Sequence, residues 1–218
     1  MTSTFQDSAV AWLAFGLSLL LVALYEGWVL WVGRRQPRRM ARYAHARMRA
    51  DWAAALSQRP GFEIVAVQTL RNSLMSATIG ASTAALALMG TITLAGGTFV
   101  EGMAHLRNDS GSSLRPVLEA LLMLALFASY VCSSMAMRYY NHAGFVMSMP
   151  ALSEERRPLE PMARSYVERA GLLYSWGLRC FLMVAPLVAG IVNPLLMPVM
   201  TAALVAVLWY FDRPAQPD

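Results

Sequence analysis

Lysine is absent from the 218 residues, cysteine occurs twice, and only 14% of positions are charged. Each shortage excludes something. An ordinary soluble domain carries about 25% charged residues, so this chain is not one. Its 57% hydrophobic content and mean hydropathy of +0.44 are those of a membrane protein. All eighteen cationic side chains are arginine, a bias that fits a GC-rich bacterial coding sequence and carries no mechanism. Cys132 and Cys180 lie in or beside apolar stretches without the paired spacing of a zinc or redox motif, so they read as small packing residues. Also missing are a His-Glu-x-x-His helix, a Gly-x-Ser-x-Gly turn and a phosphate loop. An enzyme is therefore the weakest class, and no catalytic residue, cofactor, metal or nucleic-acid partner is expected.

What the chain has instead is long apolar runs. A hydrocarbon core about 30 Å thick needs about 20 apolar residues per helix, and the runs 11–32, 73–94, 114–137 and 181–209 reach that length. The expectation is an all-α polytopic membrane protein, one membrane domain over 1–218 with about four transmembrane helices in the lipid bilayer. The first run follows Asp7, with no preceding cation and no small-residue cleavage site, so it reads as a retained span. Nine Arg fall in 33–72 and five in 138–178. Arg beside span ends marks the cytoplasmic side. These segments are therefore placed inside and the N-terminus outside a bacterial inner membrane.

Two inner segments have helical amphipathic patterns. After Pro37, which suits a first helical turn, Met40, Ala44, Met48 and Trp52 recur on one side while Arg38, Arg42 and Arg49 project on the other. That reads as a basic helix near the inner membrane surface. Met162, Tyr166, Ala170 and Leu173 predict a second amphipathic helix lying along the inner face. The second span has small-residue rows, Ser73-Ala77-Ala81-Ala85 and Ser76-Gly80-Ala84, which let helix backbones approach closely. Segment 96–113, with Asn108-Asp109-Ser110-Gly111, reads as an outer loop. Arg115 and Glu119 form an i, i+4 pair near the outer surface.

The last run is interrupted by Pro186, Pro194 and Pro198, each of which removes a helix hydrogen bond. A single long, tilted and kinked span ending outside is preferred, because two full crossings need about 40 residues. A re-entrant hairpin turning at the candidate helix break Asn193-Pro194 is the alternative, and it returns the C-terminus to the cytoplasm.

Three segments carry a resemblance: Ala66-Val67-Gln68-Thr69-Leu70-Arg71-Asn72, then Arg138-Tyr139-Tyr140-Asn141-His142-Ala143, then Trp176-Gly177-Leu178-Arg179. Pro186 and the closing Leu208-Trp209-Tyr210-Phe211-Asp212 add to it. In order and spacing the chain from Tyr25 onward resembles the "domain of unknown function 599" family of bacteria and plants. The resemblance implies a multi-span membrane protein and supplies no catalytic or binding residues.

The matching segments lie at cytoplasmic span ends, which predicts an inner-face polar cluster of Glu26, Gln68, Arg71, Asn72, Arg138, Tyr139, Asn141, His142 and Arg179. Glu26 lies more than one turn inside the first span, where an ionisable residue takes a partner; Arg71, Arg138 and Arg179 are the candidates. Such a cluster either pins helix ends together or lines the inner mouth of a pathway and binds an anionic ligand or headgroup. His142 alone makes neither a metal site nor a proton relay. The leading functional reading is a homo-oligomeric channel or transporter-like protein for a small solute or ion, given the small-residue helix and the proline-interrupted last span. The competing reading is a non-transporting scaffold or assembly factor that holds a protein partner or anionic lipid on its Arg-rich face.

The Arg distribution makes a topology prediction. Cysteine placed at Arg47→Cys or Arg164→Cys should resist a membrane-impermeant thiol reagent in intact cells; strong labelling from outside reverses the topology.

Overall fold

The computed structural model describes residues 2–35, 41–107 and 114–212. Among them every regular element is helical: α1 (Thr2–Arg35), α2 (Ala41–Ser57), α3 (Glu63–Arg107), α4 (Arg115–Met147), α5 (Glu160–Leu182), α6 (Val184–Val192) and α7 (Leu196–Asp212), with a 3-10 turn at Arg157–Leu159. Four stretches are long and apolar enough to cross a membrane, Ala9–Val32, Glu63–Leu94, Arg115–Met147 and Arg157–Val192. The shorter α7 is apolar too. Lipid offers no hydrogen bonds, so each spanning segment must satisfy its backbone internally, and helices do this.

α4 is the central element, packing against α3 on one side and α5 on the other. Small residues set both contacts. Ala77, Ala81 and Ala84 of α3 are buried, and a Cβ on Gly80 would stand 3.4 Å from the Ser133 hydroxyl of α4. The buried face therefore mixes the two predicted small-residue rows, and it packs within the subunit. The α4–α5 contact is closer still: a Cβ on Gly177 would meet Ser133 Oγ at 2.8 Å and the Ser129 carbonyl at 3.3 Å. The hydroxyls of Thr78, Thr91, Thr93, Ser175 and Thr201 each donate to the carbonyl four residues earlier. Thr78 also reaches across to the Met137 sulfur of α4 at 3.3 Å.

Three cores are stacked along the bundle. Near the Arg-rich end, Leu70, Ala136, Tyr140, Met147 and Val167 pack with Ala53 of α2. Toward the other end, Leu118, Leu122, Leu126, Leu187 and Met197 take in Trp12 and Phe15 of α1. Between α1 and α7, Tyr25 and Val29 meet Leu204 and Leu208. The turn from α4 to α5 closes on buried Arg156, whose Nη1 donates to the Met149 carbonyl at 2.8 Å, and Glu63 accepts the Ala151 N–H at 2.8 Å.

Several expectations need correction. The last run does not cross once. It breaks at Asn193-Pro194, where Asn193 is extended (φ −152°, ψ 115°) and its Oδ1 accepts the Leu195 N–H at 3.0 Å. α7 then runs back, so the chain makes the hairpin rather than the single span ending outside. The reversal works because Gly190 lets Met197 and Leu118 close over the tip. A milder kink falls at Met183, between α5 and α6, where Pro186 has no N–H to donate to Leu182 while the Met183 and Leu187 N–H groups keep their bonds to the Arg179 and Met183 carbonyls.

Residues 96–107, read as outer loop, continue α3, which at 45 residues is about 67 Å long; Asn108 to Ser113 lie outside the described residues. The helix predicted along the inner face is instead the first half of α5 and runs straight into the span. Its buried row is Ala163, Val167 and Ala170, and Met162 faces outward. α2 forms as predicted but buries Ala50 and Ala53 against α5, leaving Met48 exposed. Its Arg164–Asp51 link spans 3.2 Å. Pro37, Arg38 and Met40 lie outside the described residues. The Arg115–Glu119 pair forms at 2.9 Å.

Gly177→Ala should destabilise the protein by about 1–3 kcal/mol, since the new methyl meets a backbone carbonyl that cannot move cheaply. Gly80→Ala should be tolerated and Gly80→Leu should not. Unfolding in detergent micelles checks this; a Gly177→Ala protein as stable as the parent contradicts the close α4–α5 contact.

Candidate functional site

Charged side chains are scarce in the spans, and the structure gathers four ionisable groups there. Glu26 lies nine residues before Arg35 on α1, about 13 Å deeper along the helix. Arg179 lies four residues before the Met183 kink that ends α5. Asp212 ends α7, and the Asn193-Pro194 reversal brings it back to the same depth. Arg179 Nη1 donates to Glu26 Oε1 at 3.0 Å, and its Nη2 donates to Asp212 Oδ2. The Tyr25 hydroxyl donates to the same Asp212 oxygen at 2.5 Å, and the guanidinium carbon stands 6.0 Å from the Tyr25 ring centre. The side chains are 9% exposed for Arg179, 13% for Asp212 and 24% for Glu26.

The predicted cluster thus separates into three places. Glu26 has its partner, and among the three candidates it is Arg179. Gln68, Arg71 and Asn72 are exposed on α3, where Gln68 and Arg71 line a groove with Glu63, Ile64, Val67 and Ser148. Arg138, Asn141 and His142 are exposed on α4, and Tyr139 and His142 stand against the Tyr166 ring of α5 at 5.3 and 6.0 Å. Among the described residues Glu26 pairs with Arg179 and not with these groups. Their common grouping came from placing all inner span ends at one depth, whereas helices of different length carry their ends to different depths.

Tyr25 and Asp212 were missed. The signal for Asp212 was present, since it is the carboxylate that closes the last apolar run and belongs to a segment that carries the resemblance. Reading that run as one crossing put it on the wrong side. Among the described residues no group of three His, Cys, Asp or Glu is arranged to hold a metal ion.

A family model described as "Protein of unknown function, DUF599" matches residues 13–217. The chain belongs to the DUF599 family. No curated protein and no solved structure matches it. The DUF599 match includes all four members of the network, the helix break and the kink, so the fold and the network lie within the family's region.

The network has a hierarchy of stability effects. Arg179→Met leaves two part-buried carboxylates without a cation and should cost about 2–4 kcal/mol, toward the low end of a broken buried pair. Glu26→Gln leaves Arg179 paired with Asp212 and should cost clearly less. Adding Glu26→Gln and Asp212→Asn to Arg179→Met should recover most of the loss. Chemical denaturation in micelles measures all three; equal losses for Glu26→Gln and Arg179→Met contradict an arginine-centred network.

Proposed function

We propose that this protein is a transporter-like or channel protein of the bacterial inner membrane, N-terminus outside, that works as a homo-oligomer and moves a small solute or ion coupled to a proton or small cation. It performs no catalytic chemistry. The observation that carries the reading is the imbalance of the network: one guanidinium serves two carboxylates, so the fully ionised group carries a net charge of −1. A carboxylate without a counter-charge costs about 2.5–3.5 kcal/mol at a helix centre and less toward the interface, where Asp212 ends α7. Binding one proton or cation removes that cost, which makes the group a coupling site. Its setting agrees, because Asp212 is returned to Arg179 by the helix break at Asn193-Pro194, and broken helices within a membrane accompany ion sites in carriers.

A scaffold reading has its own support. Ala77, Gly80, Ala81 and Ala84 of α3 pack within the subunit, and the hydroxyls of Thr91, Ser175 and Thr201 bond within their own helices. In that reading the network is a pin, and the exposed arginines Arg47, Arg71, Arg138 and Arg164 hold a protein partner.

Purified protein in liposomes separates the two. Transport predicts proton or monovalent-cation flux above protein-free vesicles, lost in Asp212→Asn with the oligomer intact. Absence of flux, or flux unchanged by Asp212→Asn, rejects the transport reading and leaves the pin.

A further inference from the structure

Arg71 stands apart from the network. It is exposed on α3, and among the described residues it makes no ion pair. With Gln68 it lines a groove of about 270 Å³ whose other walls are Glu63, Ile64, Val67 and Ser148. Two of these groups are already engaged. The Ser148 hydroxyl donates to the Phe145 carbonyl at 2.7 Å, and Glu63 Oε1 accepts the Ala151 N–H. The Arg71 guanidinium and the Gln68 amide are the free donors, and both suit an anion.

Depth narrows the ligand. Thr78 of α3 meets Met137 of α4 at 3.3 Å, which puts Arg71 seven residues, about 10 Å, beyond that level toward the Arg-rich end. Arg138 marks the apolar limit of α4 at the same level as Thr78. Arg71 therefore lies at headgroup height rather than in the hydrocarbon. The same helix face continues away from the groove as Met75, Ile79 and Leu86, all exposed and spaced at three to four residues or two turns. Ile64, in the groove wall, is exposed as well. A cationic head pocket joined end to end with an exposed apolar track matches one amphiphile in outline.

We propose that this α3 face binds a single anionic phospholipid of the Arg-rich-side leaflet, its phosphate on Arg71 and Gln68 and an acyl chain along Met75, Ile79 and Leu86. The assignment does not depend on the transport reading. A free phosphate satisfies the donors but leaves the apolar track unused, and diffuse attraction to a basic surface gives Arg71 no privilege over Arg138.

The test uses the full chain in micelles, with retention of phosphatidylglycerol followed by native mass spectrometry and protection followed by thermal unfolding. Phosphatidylglycerol should be retained and should raise the unfolding temperature, whereas phosphatidylcholine and inorganic phosphate should do so weakly. Arg71→Gln should lower phosphatidylglycerol affinity on the order of tenfold, the loss of one charge-assisted contact. Arg71→Lys, which keeps the charge, should retain most of the affinity, and Arg138→Gln should leave it unchanged. Unaltered affinity in Arg71→Gln overturns the site. Equal protection by inorganic phosphate overturns the lipid assignment, and an equal loss in Arg138→Gln reduces the effect to general surface charge.

Discussion

α1 has few neighbours apart from α7, and α7 reaches the rest of the bundle largely through α6 and the α1 face. One guanidinium gives this pair of helices its polar tie to α5, beside the apolar contacts that Trp12 and Phe15 make with the Leu118 core. Arg179 is fixed on α5, and its two carboxylates come from α1 and α7. The contact matters because all three groups are at least part-buried, so removing either sign leaves the other poorly solvated. Arg179 is itself positioned by Gly177 two residues earlier, where the absent side chain lets α5 close on Ser129 and Ser133. The tight helix contact and the polar network are thus parts of one arrangement.

The arrangement resolves two demands of a membrane interior. Close packing is met by alanine and glycine at the α3–α4 and α4–α5 contacts, since lipid tails supply no hydrophobic drive and helices associate through van der Waals contact. Burial of charge is met by pairing. Once the small residues are used inside the subunit, the exposed faces of α1 and α3 are largely apolar, with Leu13, Leu20 and Leu24 on one and Ile79 and Leu86 on the other. Trp28, Trp31, Trp176 and Trp209 are exposed toward the Arg-rich end, as aromatic residues are at a membrane–water interface. The network lies near the depth of these rings, with Trp28, Trp176 and Trp209 two or three residues from Glu26, Arg179 and Asp212.

The chain by itself determined a good deal. Hydropathy announced four spanning stretches and located three of them, arginine marked one end of the bundle, the small residues of α3 announced a close helix contact, and Glu26 announced a cationic partner. Each is a local cost that any fold must meet: an apolar run must leave water, and a carboxylate in a span must be neutralised. Only the tertiary structure decided which arginine answered Glu26, that Asp212 shares it, and that Gln68, Arg71, Arg138 and His142 stand elsewhere. Those outcomes depend on the reversal at Asn193-Pro194 and on how far each helix runs past its neighbours. A proline marks where a helix can break, but the direction taken afterwards follows from packing such as Gly190 against Met197 and Leu118, between residues distant in the chain.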